Sequence, residues 1–191
     1  MATLDFYDRN AEEYGGMTFS ADMSETRQVF LNLLKMGDSI LDLGCGSGRD
    51  SKAFLEAGLA VTAVDGSAGM CEVARRNTGL PVRRMLFSEL DYTDEFDGVW
   101  ACASLLHVPA AELPGVLSLV RRALKDWGVF FCCFKKGWGE RTDGERVYTD
   151  MLLNTLSDLL GESGFLPIRV WETPGPNGAT WVNAVSRKTL D

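Results

Sequence analysis

The segment Asp42-Leu-Gly-Cys-Gly-Ser-Gly48 places three glycines in five residues, directly after an apolar run. Gly44, Gly46 and Gly48 let the backbone turn sharply and approach a ligand closely. A loop of this kind, when it opens a helix, turns backbone N–H groups and the helix N-terminus toward a bound group. By itself it is also compatible with a plain strand-to-helix turn. Asp65 sharpens the reading. It ends the next apolar strand, 23 residues after Asp42, where an acid in a nucleotide-binding α/β fold accepts hydrogen bonds from both ribose hydroxyls. Taken singly, Asp65 also reads as a cap for a helix starting at Ser67. The pattern is not that of a dinucleotide site, because Arg49 stands where G-x-G-x-x-G needs its third glycine. No G-x-x-x-x-G-K-[S/T] loop occurs either.

These residues need elements to hold them. Residues 4–14 and 21–35 read as two leading helices, the first with Leu4, Tyr7, Ala11 and Tyr14 on one face. Strands are then expected at 39–43, 60–64, 82–86, 96–103 and 128–134, with helices at 51–57, 67–77, 110–124 and about 148–162. Two final strands, 165–172 and 180–187, are joined by the Pro/Gly-rich turn 173–178. Alternation of strand and helix predicts an α/β fold: a Rossmann-like, seven-stranded, mostly parallel sheet with helices on both faces. The last two strands have no helix between them and are expected to pair antiparallel. No linker or repeat divides the chain, so residues 1–191 are expected to form a single domain, with 1–37 as a helical cap on a 38–191 core.

Bulk properties narrow the classes. The chain has 191 residues and a formal net charge of −8, which repels phosphate backbones, and no Lys/Arg run exceeds two. Nucleic acid is therefore not an expected partner. Five cysteines without a C-x-x-C and a single histidine argue for free thiols and against a structural metal. The N-terminus lacks the basic and apolar regions of a signal peptide, and no apolar run approaches the ~20 residues of a membrane span. A soluble cytoplasmic protein with no membrane partner is expected. Oligomeric state is left open.

Ile40–Gly48 (ILDLGCGSG) with Asp65 resembles motif I and the following acid of class I S-adenosylmethionine-dependent methyltransferases. More narrowly, GCGSGRDSKAFLEAG, FDGVWACASLLHVP, the Phe134–Gly137 segment and TWVNAVSRK resemble small bacterial methyltransferases grouped with tellurite-resistance methyltransferases. Lys136 replaces the Tyr of that group's Lys-Tyr-Gly. The resemblance implies S-adenosylmethionine as cofactor, S-adenosylhomocysteine as its product, and a small-molecule methyl acceptor as partner. It implies that Gly44, Cys45, Gly46 and Gly48 lie under the methionine and ribose, with Asp42 orienting the loop. Asp65 would take the ribose, and Gly66, Ser67, Met70, Leu86, Phe87 and Ser88 would surround the adenine. Ala103 would sit beside the methyl group. Apart from the resemblance, Tyr7 and Tyr14 have two readings: a lid over the cofactor, or a helix packed on the domain by its aromatic stripe.

His107, the one histidine, follows the fourth strand and has two readings: a general base, or a histidine hydrogen-bonded to backbone beside the pocket. Lys135, Trp138, Arg141, Arg146 and Tyr148 follow the fifth strand. They either bind an anionic acceptor or form a solvated loop. Two other functions remain open to the sequence, a catalytically silent S-adenosylmethionine-binding regulator and an NAD-linked oxidoreductase, the latter disfavoured by Arg49.

Overall fold

The computed structural model describes residues 2–190, the side chain of Asn177 excepted. The first and last residues of the expected 1–191 span lie outside the described residues. Three helices lead, α1 (Ala2–Arg9), α2 (Ala11–Phe19) and α3 (Ser24–Leu31). The alternating part follows: β1 (Ser39–Leu43), α4 (Arg49–Glu56), β2 (Ala60–Asp65), α5 (Ala68–Thr78), β3 (Arg83–Arg84) and β4 (Phe96–Ala101). Then come α6 (Leu113–Ala123), β5 (Leu124–Lys135), a hairpin of β6 (Gly139–Asp143) and β7 (Arg146–Asp150), α7 (Leu153–Glu162), β8 (Phe165–Pro174) and β9 (Thr180–Lys188).

The main sheet has seven strands in the order β3-β2-β1-β4-β5-β9-β8. β3 through β5 are parallel, and β9 runs antiparallel to both β5 and β8, as the missing helix between the last two strands predicts. Side chains alternate between two apolar layers. Val99 and Phe130 face the layer containing Leu117, Val120, Leu156 and Leu160. Trp100 and Phe131 face the other way and stack at 3.9 Å under Phe30 of α3 and Phe54 of α4. Gly98 makes room for α3, since a Cβ there would lie 2.7 Å from the Phe30 ring. With helices on both faces, the inner strands β1 and β4 are almost wholly buried.

Three expectations are corrected. The leading helix breaks at Asn10, whose side-chain amide donates to the Phe6 carbonyl at 2.8 Å. The second leading helix is shorter than 21–35, running from Ser24 to Leu31. The helix expected from about 148 begins only at Leu153, because 139–150 folds as the β6–β7 hairpin. Asp143 pairs with Arg146 across a two-residue Gly144-Glu145 turn, Gly144 takes φ +60°, and Val147, Tyr148 and Thr149 favour strand. Among the described residues, no helix is long and apolar enough to cross a membrane.

Candidate active site

At the carboxyl ends of β1, β2 and β4 the sheet opens into a cavity of about 520 Å³, within the usual range for small-molecule sites. Its floor is the loop between β1 and α4. Gly44 has φ +76°, and a Cβ there would lie 2.4 Å from the Cβ of Ser104, so only glycine fits between the ends of β1 and β4. Ser104 fixes that approach by donating to the Leu43 carbonyl at 2.7 Å. Asp65 bridges the loop to α5. One oxygen accepts from the Gly46 N–H and the other from the Ser67 N–H, both at 2.9 Å. Burial raises its pKa, partly offset by those N–H donors. Each oxygen keeps lone pairs for a ligand in the cavity.

Asp42, 2% exposed, has one donor among the described residues, the Ser51 hydroxyl at 2.6 Å. Burial, then the charge of Asp50, pushes its pKa up to about 7. Asp50 has the opposite fate. Burial alone would raise it, but bonds from Arg49 (2.7 Å) and Arg27 (2.7 Å) outweigh that and hold it below the ordinary carboxylate value. The Trp100 indole also donates to it at 3.0 Å. Two neighbouring acids thus differ: Asp50 is saturated, whereas Asp42 faces the cavity with no ion-pair contact among the described residues.

The opposite wall comes from the leading helices and from the segment after β4. Tyr7 and Tyr14 meet edge to face at 5.1 Å. The Tyr7 hydroxyl lies 2.8 Å from His107 Nε2, and His107 Nδ1 lies 2.7 Å from the Val147 carbonyl. A carbonyl only accepts, so Nδ1 carries the proton and Nε2 accepts from Tyr7. Burial, then the charges of Arg146 and Lys135, lower the His107 pKa to about 4, despite the bond to Val147. The imidazole is neutral near pH 7. Ala103, beside it, holds φ +52°, a strained value for a residue with a Cβ.

Of the residues singled out from the sequence, Tyr14, Asp42, Gly44, Cys45, Gly46, Asp65, Gly66, Met70, Leu86, Phe87, Ser88, Ala103 and His107 line the cavity. Gly48 and Ser67 do not. Gly48 packs α4 on α5, since a Cβ there would lie 2.6 Å from Thr78. Ser67 is the buried cap of α5, accepting from the Met70 N–H at 3.1 Å and donating to Asp8 at 2.5 Å. Lys135, Trp138, Arg141 and Tyr148 are also outside the lining. Trp138 is 78% exposed, and the other three cluster behind His107. Sequence reasoning missed Asp50, Cys102, Ser104 and Glu112, and read Arg49 only as a missing glycine. All five line the cavity. For Arg49 and Asp50 the signal was proximity to the glycine loop. Glu112 carried none.

Residues 40–128 match the sequence model of a family described as a methyltransferase domain. Among solved structures, the 1,6-didemethyltoxoflavin N1-methyltransferase of Burkholderia thailandensis, with 1,6-didemethyltoxoflavin and S-adenosylhomocysteine bound, is similar at 26% identity and TM-score 0.80, over 98% of this chain and 87% of that one. Malonyl-[acyl-carrier protein] O-methyltransferase of Serratia marcescens is 31% identical over 145 residues, 68% of this chain and 56% of that protein. Ubiquinone biosynthesis O-methyltransferase of Pasteurella multocida is 29% identical over 111 residues, 50% of this chain and 45% of that protein. The chain spans about half the length of these two curated relatives.

Proposed function

We propose, for a chain that belongs to the class I S-adenosylmethionine-dependent methyltransferases, that it moves a methyl group from S-adenosylmethionine to a small-molecule acceptor. The observation that carries this is the pair of acids at one glycine loop. Asp65, with each oxygen anchored by a backbone N–H, accepts both ribose hydroxyls with its remaining lone pairs. Asp42, buried with one donor, accepts the ammonium of the amino-acid end. Donor set and cradle fit this group and do not fit a pyrophosphate.

Bound S-adenosylmethionine supplies a sulfonium whose methyl group is already activated. What remains for the protein is positioning, which can supply an effective molarity of order 10⁵–10⁸ M. Gly44 and Gly46 bring backbone against the ligand. Met70, Leu86, Phe87 and Ser88 enclose the adenine, and Ala103 holds the wall on the methyl side. Tyr7 and Tyr14 close the cavity and exclude water, which makes residues 1–37 a cap on the core of one domain. His107 acts as a neutral hydrogen-bond acceptor that seats Tyr7. A small acceptor is supported by the size of the cavity and by the 1,6-didemethyltoxoflavin bound in the Burkholderia enzyme.

The test is a screen of small-molecule pools with isotopically labelled S-adenosylmethionine, paired with calorimetric titration of S-adenosylhomocysteine. Labelled product from a small molecule is the expected result. Binding without turnover on any pool would favour a regulatory cofactor-binding protein, and binding of NADH alone would refute the proposal.

A further inference from the structure

Helix α1 lies along the cavity as a strap held at two margins. On the hairpin side the Thr3 hydroxyl accepts from the Val147 N–H at 3.2 Å, Tyr7 meets His107 at 2.8 Å, and Arg9 pairs with Glu145. On the side of β2 and α5, Leu4 packs over Gly66, where a Cβ would lie 3.0 Å from Leu4 Cδ2. Asp8 supplies the polar contacts there. One of its oxygens accepts from the Ser67 hydroxyl at 2.5 Å and from the Gly69 N–H at 3.0 Å. Gly69 permits the approach, since a Cβ there would lie 3.0 Å from the Asp8 carbonyl oxygen and 2.8 Å from the Ala11 Cβ.

Ser67 is wholly buried, and its polar groups are all engaged. Its hydroxyl donates to Asp8 and accepts from the Met70 N–H, and its own N–H holds one oxygen of Asp65. Two carboxylates thus grip one residue, Asp8 from the strap and Asp65 from the end of β2. A hydroxyl-to-carboxylate bond of 2.5 Å is in the short, charge-assisted range. Without Asp8 the buried hydroxyl loses its acceptor, which costs free energy. Ser67 relieves that cost by shifting, and the N–H that holds Asp65 shifts with it.

We propose that Asp8 is a positioning residue for the cofactor: acting through Ser67, it sets Asp65 for the ribose when α1 is down, so that strap closure and ribose recognition are coupled. The inference rests on the methyltransferase reading, in which Asp65 takes the ribose. Asp8 itself does not line the cavity.

The test titrates the full chain with S-adenosylhomocysteine and with its 2′-deoxy analogue by calorimetry. The unaltered protein should prefer S-adenosylhomocysteine by about tenfold or more, the worth of one hydrogen bond to a charged group. Asp8→Ala should bring S-adenosylhomocysteine most of the way down to the affinity of the analogue and leave the analogue nearly unchanged. The variant should fold, since α1 buries no residue. Asp8→Asn keeps an oxygen that accepts both bonds and should retain most of the preference. Tyr7→Phe loosens the same strap at its other margin and should retain most of it too. Equal weakening of both ligands by Asp8→Ala, or no weakening, overturns the inference. So does a loss of preference in Tyr7→Phe as deep as in Asp8→Ala, which would make Asp8 one more tie on the strap. An equally deep loss in Asp8→Asn would trace the effect to charge rather than to the grip on Ser67, and overturns it as well. Unaltered protein that binds both ligands equally refutes the inference while leaving the cofactor in place. Unaltered protein that binds neither refutes the methyltransferase reading, and the inference with it.

Discussion

One wall of the cavity is drawn from a single stretch, Asp42 to Ser88, whose key contacts join neighbours such as Gly46 and Asp65. The facing wall is assembled from far apart. Tyr7 meets His107 across 100 residues, and the Val147 N–H donates to Thr3 across 144. The first wall is held by backbone geometry and buried acids. The second rests on α1, a helix with no buried residue. Elements with few buried contacts open at low cost. On the proposed reading, a site that admits a cofactor and then encloses it would gain from this division, a fixed floor and a cap that opens.

Gly44→Ala should have the largest effect, because it attacks the fixed floor. The left-handed backbone costs ~1–2 kcal/mol with a Cβ, and the forced contact with Ser104 adds ~1–3 kcal/mol. Urea unfolding should therefore show a loss of about 2–5 kcal/mol, with S-adenosylhomocysteine binding abolished. A variant of wild-type stability would mean that the floor is as pliable as the cap.

Asp65→Ala comes next. Hydrogen bonds to a charged group contribute roughly 1.5–3 kcal/mol, so cofactor affinity should fall at least about tenfold, with the fold retained. Calorimetry decides this, and unchanged affinity would reduce Asp65 to a staple between Gly46 and Ser67.

Asp42 gives a smaller, pH-dependent effect. Its folded pKa of about 7 lies above the unfolded value, so the folded protein keeps a proton that the unfolded chain has lost. Its contribution to stability therefore falls as pH rises from about 4 to 7. Cofactor affinity moves the other way, since only the carboxylate pairs with an ammonium. S-adenosylhomocysteine should bind roughly eightfold more tightly at about pH 7.5 than at about pH 6. Asp42→Asn should flatten both profiles, and a pH-independent affinity in the unaltered protein would remove Asp42 from the ligand.

The same contrast explains what the sequence made legible. The mostly parallel sheet, its antiparallel last pair and the floor follow from local signals: apolar runs, glycines that need positive φ, and an acid at a strand end, whereas the insertion of β9 between β5 and β8 does not. The facing wall depends on which distant segments meet, and local pattern says little about that. Leu153–Glu162 is a genuine helix, but the apolar period that predicts it does not stop at Tyr148 and Thr149, which the Gly144-Glu145 turn commits to strand. Arg49 looked like a missing glycine because its partner, Asp50, is informative only once Arg27 and Trp100 are seen to close on the same carboxylate.

The cap should respond least, and there the role of His107 is decided. Its Nε2 is occupied by the Tyr7 hydroxyl, its Nδ1 proton is committed to Val147, and its pKa near 4 leaves it neutral from pH 6 to 9. A general base would need Nε2 free to face the acceptor. Loss of such a base costs ~10²–10⁴-fold, whereas loss of one neutral hydrogen bond costs about 0.5–1.5 kcal/mol, roughly tenfold at most. Tyr7→Phe and His107→Asn break the same contact from its two ends. Each should lower turnover by no more than about tenfold, with a flat pH profile and faster cofactor release. Because they share one bond, the double variant should be scarcely worse than either alone. Turnover at saturating cofactor across pH 6 to 9 settles it. A hundredfold fall confined to His107→Asn, with an ionisation near neutrality lost, would make His107 the base and Tyr7 only its cover before the acceptor arrives.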